Sequence, residues 1–143
     1  MTQAMTHGRT LSARGGVLIV GAGEAGVRVA TALREFGDDR PIVLLGDEPH
    51  PPYQRPPLSK AFLDGKADHI DLALRTPDYF RDADIQVHTG RRVTHLDVDE
   101  VGTGSATCDD GEVIEFTQLV LATGARARGL PVDGATLPGV HTL

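Results

Sequence analysis

Three glycines, Gly21, Gly23 and Gly26, stand between a short apolar run and an amphipathic one. The run Val17-Leu18-Ile19-Val20 suits a strand buried on both faces of a parallel sheet. From Glu24 to Phe36 the apolar positions Ala25, Val29, Ala32, Leu33 and Phe36 recur at helical spacing, and Gly37 follows as a stop. Ile42 to Leu45 is a second apolar run, ended by Gly46. Strand, helix and strand within about thirty residues make a βαβ unit with a right-handed crossover. In a chain with 17 glycines, G-x-G-x-x-G alone says little. Between a strand and a helix it says much more.

Each glycine then has a mechanical task. The first allows the tight turn. The second lets the backbone approach a pyrophosphate with no Cβ in the way, and the third lets helix pack closely on sheet. The first-turn N–H groups, from Glu24, Ala25 and Gly26, point at the phosphate, and the helix dipole favours negative charge there. About twenty residues on, Asp47 and Glu48 follow the second strand. A carboxylate there accepts from a ribose 2′-hydroxyl and repels a 2′-phosphate. The pocket therefore reads as FAD or NAD before NADP, with Asp47 the favoured ribose ligand and Glu48 its exposed neighbour.

The rest of the chain supplies further elements. Pro49, Pro51, Pro52, Pro56 and Pro57 exclude a regular helix or central strand over their segment. Leu58 to Leu63 predicts one or two helical turns stopped near Gly65, and Pro77 to Asp82 a short helix with proline in its first turn. Strands are expected at Ile85–His88, Arg91–Asp97, Ser105–Cys108, Glu112–Phe116 and Leu119–Ala122, with Asp109-Asp110-Gly111 as a hairpin turn. Residues 1–16 read as a flexible tail with no apolar core of a secretion signal. Residues 17–143 read as one domain.

Composition narrows the function classes. The formal net charge is −6, so no nucleic-acid partner and no polybasic membrane contact are expected. No apolar run approaches the roughly 20 residues that span a bilayer. The single cysteine, Cys108, fits a reducing cytoplasmic setting and reads as a buried small residue. It excludes a paired dithiol relay within this chain. His50, His69, His88, His95 and His141 lack the spacing of metal ligands, so no metal is expected.

The residues alone leave NAD and FAD level. The stretch Asp47-Glu48-Pro49-His50-Pro51-Pro52-Tyr53-Gln54-Arg55-Pro56-Pro57-Leu58-Ser59-Lys60 closely resembles the signature of the flavin-dependent ferredoxin reductases. These are the rhodocoxin/putidaredoxin reductase type, within the class I pyridine nucleotide-disulfide oxidoreductase-like family. The reductase components of aromatic-ring dioxygenases and the apoptosis-inducing factors share this stretch. Leu119-Val120-Leu121-Ala122-Thr123-Gly124-Ala125-Arg126, with Leu130-Pro131 and Gly139-Val140, is a second match. The resemblance runs from about Val17 to the last residue.

The resemblance implies a fold and a chemistry. The fold is α/β: a Rossmann-like FAD-binding domain with a central parallel sheet and a small antiparallel β-meander, here incomplete. The chemistry is electron transfer from NAD(P)H, the co-substrate of the complete enzyme, through FAD to a ferredoxin-like iron–sulfur protein. Carried over by position, Asp47 holds the adenosine ribose. Arg55 and Lys60 lie along the pyrophosphate and flavin, Lys60 as a tuning charge. Val93 meets the adenine through its backbone, and Ala122-Thr123-Gly124 approach the cofactor. The NAD(P)H domain and the C-terminal domain have no counterpart here. The expectation is therefore a partial enzyme, weak in FAD binding alone and completed by a complementary chain. The alternative is a non-catalytic nucleotide-binding or interaction remnant.

Overall fold

A computed structural model describes residues 13–141. The elements are β1 (Ala13–Val20), α1 (Glu24–Glu35), β2 (Ile42–Leu45), a 3-10 turn (Pro56–Ser59), α2 (Pro77–Asp82), β3 (Ile85–His88), β4 (Val93–Val98), β5 (Gly104–Cys108) and β6 (Val113–Leu121). The six strands form one sheet in the order β3-β2-β1-β6-β5-β4. Strands β3, β2, β1 and the second half of β6 are parallel, and β4, β5 and the first half of β6 form an antiparallel meander. The expected α/β class, with its parallel sheet and meander, is the class observed.

The side chains of β1 and β2 alternate between two cores, as strand geometry requires. Val17, Ile19, Ile42 and Leu44 pack with Val27 and Ala30 of α1, Phe80 of α2 and Ile85 of β3. Leu18, Val43 and Leu45 turn the other way, onto Ala106, Cys108, Ile114 and Phe116 of the meander. Both faces of the central strands are thus covered, which is why their sequences are apolar without a polar phase. Burial in this second core pushes the Cys108 thiol above its ordinary pKa, and its side chain serves the packing there.

Three expectations change. The first strand begins at Ala13 rather than Val17, so residues 13–16 join the sheet and only residues 1–12 of the expected tail lie outside the described residues. Its register shifts between Ala13 and Val17, where Gly15 has φ +74°. Glycine tolerates that conformation, and the irregularity hides the strand from a search for apolar runs. The expected strands Glu112–Phe116 and Leu119–Ala122 are one strand, β6, which changes partner along its length. Residues 113–116 pair with β5, while Phe116 and residues 118–121 pair with β1. The Thr117 hydroxyl donates to the Gly16 carbonyl at 3.0 Å across the changeover. Finally, the helical turn after the proline segment starts at Pro56, because prolines with preset φ suit a first turn that needs no N–H. It continues as turns to Gly65, whose φ is +68°. The expected helix at Pro77–Asp82 and strands at Ile42–Leu45 and Ile85–His88 have the observed bounds.

Among the described residues, no helix is long and apolar enough to cross a membrane.

Candidate functional site

The carboxyl ends of β1, β2 and β6 converge on the glycine turn. Gly21 donates its N–H to Leu45 at 2.8 Å, and Ala122 donates to Val20 at 2.8 Å. The turn is therefore pinned between both neighbouring strands. Gly21 has φ +113°, and a Cβ there would lie 2.2 Å from the Ala122 carbonyl oxygen. A Cβ on Gly26 would lie 1.9 Å from the Gly21 oxygen and 3.1 Å from Leu44 Cδ1. The first and third glycines are required by the fold itself. Gly23 differs: its φ is −82°, and a Cβ there would meet nothing within 4 Å. Nothing among the described residues demands glycine at that position. A group lying against the backbone would.

Gly23 is also the N-cap of α1, and among the described residues no side chain caps that end. Glu24 and Ala25, in the first turn whose N–H groups an α-helix leaves without an internal partner, line the cleft. Glu24, in the same turn, forms an exposed ion pair with Arg28 at 3.6 Å.

Two cavities meet at these strand ends. One, of about 220 Å³, is lined by residues 21–25, by Gly46, Asp47 and Glu48, by the proline segment at His50, Pro51, Tyr53 and Arg55, and by residues 122–124. The other, of about 320 Å³, lies between Val20, Leu45, Arg91, Arg92, Val93 and Arg126. They share Gly21, Asp47, Thr123 and Gly124, and so meet along that rim. The arrangement is an elongated groove across a strand-order reversal: β2 lies on one side of β1 and β6 on the other. Open α/β sheets bind ligands at such a switch point.

Most of the expected site residues are together here. Gly21, Gly23, Glu24, Ala25, Asp47, Glu48, Arg55, Ala122, Thr123 and Gly124 line the first cavity, Val93 lines the second, and Gly26 is buried beneath the turn. Lys60 is not brought in. It caps the 3-10 turn at Pro56–Ser59, exposed, and lines neither cavity.

The two acids divide their work. Asp47 lines both cavities and accepts from Arg92 at 3.0 Å. Glu48 is not the exposed bystander expected from its position. It is half-buried, and its carboxylate accepts from the Tyr53 hydroxyl and from Arg55 Nη2, each at 2.6 Å. That bond, then burial, holds the Tyr53 phenol above its ordinary pKa. Arg92, missed by sequence reasoning, lies 45 residues from its partner, and no local pattern marks it.

Two other cavities are of different character. The cleft at Asp97, Asp99, Thr103 and Glu115 lies toward the start of β1, and its Asp99 carboxylate organises its own turn through Val101 and Thr103. An apolar hollow of about 660 Å³ lies behind the proline segment, between Leu58, Phe62, Ile70 and Leu72. Among the described residues, no group of three or more His, Cys, Asp or Glu is placed to hold a metal ion.

Comparison with known proteins agrees with this geometry. The family model described as pyridine nucleotide-disulphide oxidoreductase matches residues 15–143. Rhodocoxin reductase of Rhodococcus erythropolis is 48% identical over 127 residues, covering 89% of this chain and 29% of the relative. The ferredoxin reductase component of chlorobenzene dioxygenase from Cupriavidus sp. (strain PS12) is 44% identical, covering 89% of this chain and 30% of the relative. Among solved structures, the covalent putidaredoxin reductase–putidaredoxin complex is similar with a TM-score of 0.75 and 44% identity, over 85% of this chain and 28% of that one. The chain thus spans under a third of the length of these relatives. With the family model matched over residues 15–143, the chain belongs to the pyridine nucleotide-disulphide oxidoreductase family.

Proposed function

We propose that the groove is an FAD site, and that residues 17–143 are the N-terminal part of the FAD-binding domain of an NAD(P)H-dependent reductase. The observation that carries this reading is Gly23. Its backbone is ordinary and a Cβ would meet no atom of the described residues, so its lack of a side chain is explained by a ligand lying against the turn. The uncapped helix start supplies N–H donors and the positive end of the dipole for a pyrophosphate. Asp47 supplies the acceptor for a ribose hydroxyl, with Arg92 steadying its carboxylate. Arg55 supplies a planar fork of donors, of which Glu48 occupies only one arm. Val93 lines the half of the groove beyond Asp47, where an adenine belongs.

FAD, when bound, supplies the exchange between two-electron chemistry at a nicotinamide and one-electron chemistry at an iron–sulfur centre. The chain's part is to bind and orient it. Lys60, on the exposed turn beyond Arg55, forms no ion pair among the described residues. Its ammonium is available to favour negative charge on a flavin. The wider activity, electron transfer from NAD(P)H to a ferredoxin-like protein, belongs to a whole in which this chain supplies the FAD half and a further domain or complementary chain supplies the nicotinamide half. The ferredoxin reductase relatives support it, as does the putidaredoxin reductase structure solved with its redox partner. A cytoplasmic setting is supported by the lone, buried, unpaired Cys108.

The test is a flavin titration of the purified chain. FAD taken up at one equivalent per chain, with the spectral shift of a bound flavin, is the expected result. A folded chain that takes up none contradicts the reading.

A further inference from the structure

We propose that Glu48 is a positioning residue, which holds the proline-rich lip of the groove through Tyr53 and Arg55 and makes no contact with the dinucleotide itself. The inference rests on the FAD reading for its ligand, and on the local geometry for everything else.

Glu48 follows directly on Asp47, yet the two side chains serve opposite halves of the groove. Asp47 is joined to Arg92, beside Val93. Glu48 is joined to the proline segment. Both of its carboxylate oxygens are engaged there: Oε2 accepts from the Tyr53 hydroxyl and Oε1 from Arg55 Nη2. Its backbone carbonyl accepts from the Gly90 N–H at 2.8 Å, which fixes the residue to the loop after β3. Glu48 is thus tethered at its backbone and loaded at its side chain.

The segment it holds needs a front anchor. Its rear is fixed by backbone bonds, Gln54 to Leu72 at 2.8 Å and Leu74 to Pro52 at 3.0 Å, around a bridge between Tyr53 and Ala73. These bonds leave open how Arg55 is aimed, and its side chain is largely exposed. The prolines cut the number of backbone conformations available to the lip. They cannot choose a rotamer for a long, flexible guanidinium. The Glu48 carboxylate does so through a charge-assisted bond, and Tyr53 braces the carboxylate from the other side. Arg55 retains four of its five N–H donors for an anion in the groove. Glu48 and Arg55 cancel in charge, so attraction for a pyrophosphate depends on where those donors point.

The test uses the chain as it stands. FAD affinity is measured by flavin fluorescence in the parent, Glu48→Gln, Arg55→Gln and the double variant. A residue that acts through Arg55 gives non-additive losses. Each single change is expected to weaken binding about tenfold or less, and the double variant to bind within about twofold of Arg55→Gln. Losses that multiply in the double variant would show that Glu48 meets FAD directly and would overturn the proposal. A second readout needs no flavin. With Tyr79→Phe leaving Tyr53 as the only tyrosine, ultraviolet titration follows its phenol. Glu48→Gln is expected to bring that pKa down toward its ordinary value, and no change would equally overturn the proposal. A parent that shows the Tyr53 effect but takes up no FAD would keep the latch and refute the FAD reading.

Discussion

Gly21 and Ala122 approach so closely that a Cβ on Gly21 would stand 2.2 Å from the Ala122 carbonyl oxygen. The glycine turn is therefore wedged against the end of β6. Gly26 is wedged in turn against Gly21. The three glycines of one motif thus answer to different causes, and substitution separates them. Gly21→Ala and Gly26→Ala must move backbone and are expected to cost roughly 2–4 kcal/mol of stability. Gly23→Ala meets no atom of the described residues and is expected to cost under about 1 kcal/mol, from poorer helix capping, while weakening FAD binding at least about tenfold. Denaturant melts beside flavin titrations check both halves. A Gly23→Ala chain with parental affinity would remove the ligand explanation.

Arg34 ties the end of α1 to two connections, the loop into β2 and the turn after α2. Its guanidinium donates to the carbonyls of Asp38, Arg40, Ala83 and Asp84, at 2.6 to 2.9 Å. Asp84 has φ +51°, so one of these bonds serves a residue in an unfavourable conformation. Arg34→Met keeps the apolar stem and removes the donors. It is expected to destabilise the chain by about 2 kcal/mol or more, with Arg34→Lys recovering little because a point charge cannot reach all four acceptors. Equal melting temperatures for parent and Arg34→Met would contradict this role.

His88 gives the stability a pH dependence. Its Nε2 is buried without a hydrogen-bond partner among the described residues, and burial holds its pKa below 6.5 despite the nearby Glu112. As pH falls through 6.5, the unfolded chain takes up the proton first. Stability attributable to this site therefore declines below about pH 6.5, until the folded state also protonates. His88→Gln is expected to flatten the stability profile just below about pH 6.5, relative to the parent. Parallel profiles would show that His88 is not the group responsible.

Lys60 is tested by potential rather than by affinity. An ammonium near the flavin favours its reduced, more negative state, so Lys60→Ala is expected to lower the midpoint potential of the loaded chain. A change on the order of 30 mV corresponds to about a factor of ten in a two-electron equilibrium. An unaltered potential would leave Lys60 as the solvent-facing turn residue that its exposure describes.

What was legible in the sequence is what local pattern encodes. The βαβ unit, the short helix at Pro77–Asp82 and the three glycines depend on residues close in the chain, and their bounds follow from apolar spacing and stop signals. The first four residues of β1 were hidden because Gly15 and Gly16 interrupt the apolar run. The unity of β6 was hidden because its two halves are buried against different partners, one antiparallel and one parallel. In the candidate site, the motif residues other than Lys60 line or underlie one groove, but their partnerships did not show in the sequence. Asp47 and Arg92 are joined only by the sheet, across 45 positions. Glu48 acquires its role from Tyr53, and the bridge to Ala73 that helps to place Tyr53 is not local. Spacing identifies carboxylates at the end of β2. It does not say which of them faces the ligand.

If the groove binds FAD with a carboxylate at its ribose end, binding must depend on Asp47. Its ion pair with Arg92 is about half exposed at each side chain, so Asp47→Asn is expected to change stability by under about 1 kcal/mol. Titration of the parent with FAD, followed by quenching of flavin fluorescence, should saturate at one equivalent. The same titration of Asp47→Asn should show affinity reduced about tenfold or more. A folded parent that leaves added FAD free, or an Asp47→Asn chain that binds it as tightly as the parent, would contradict the account.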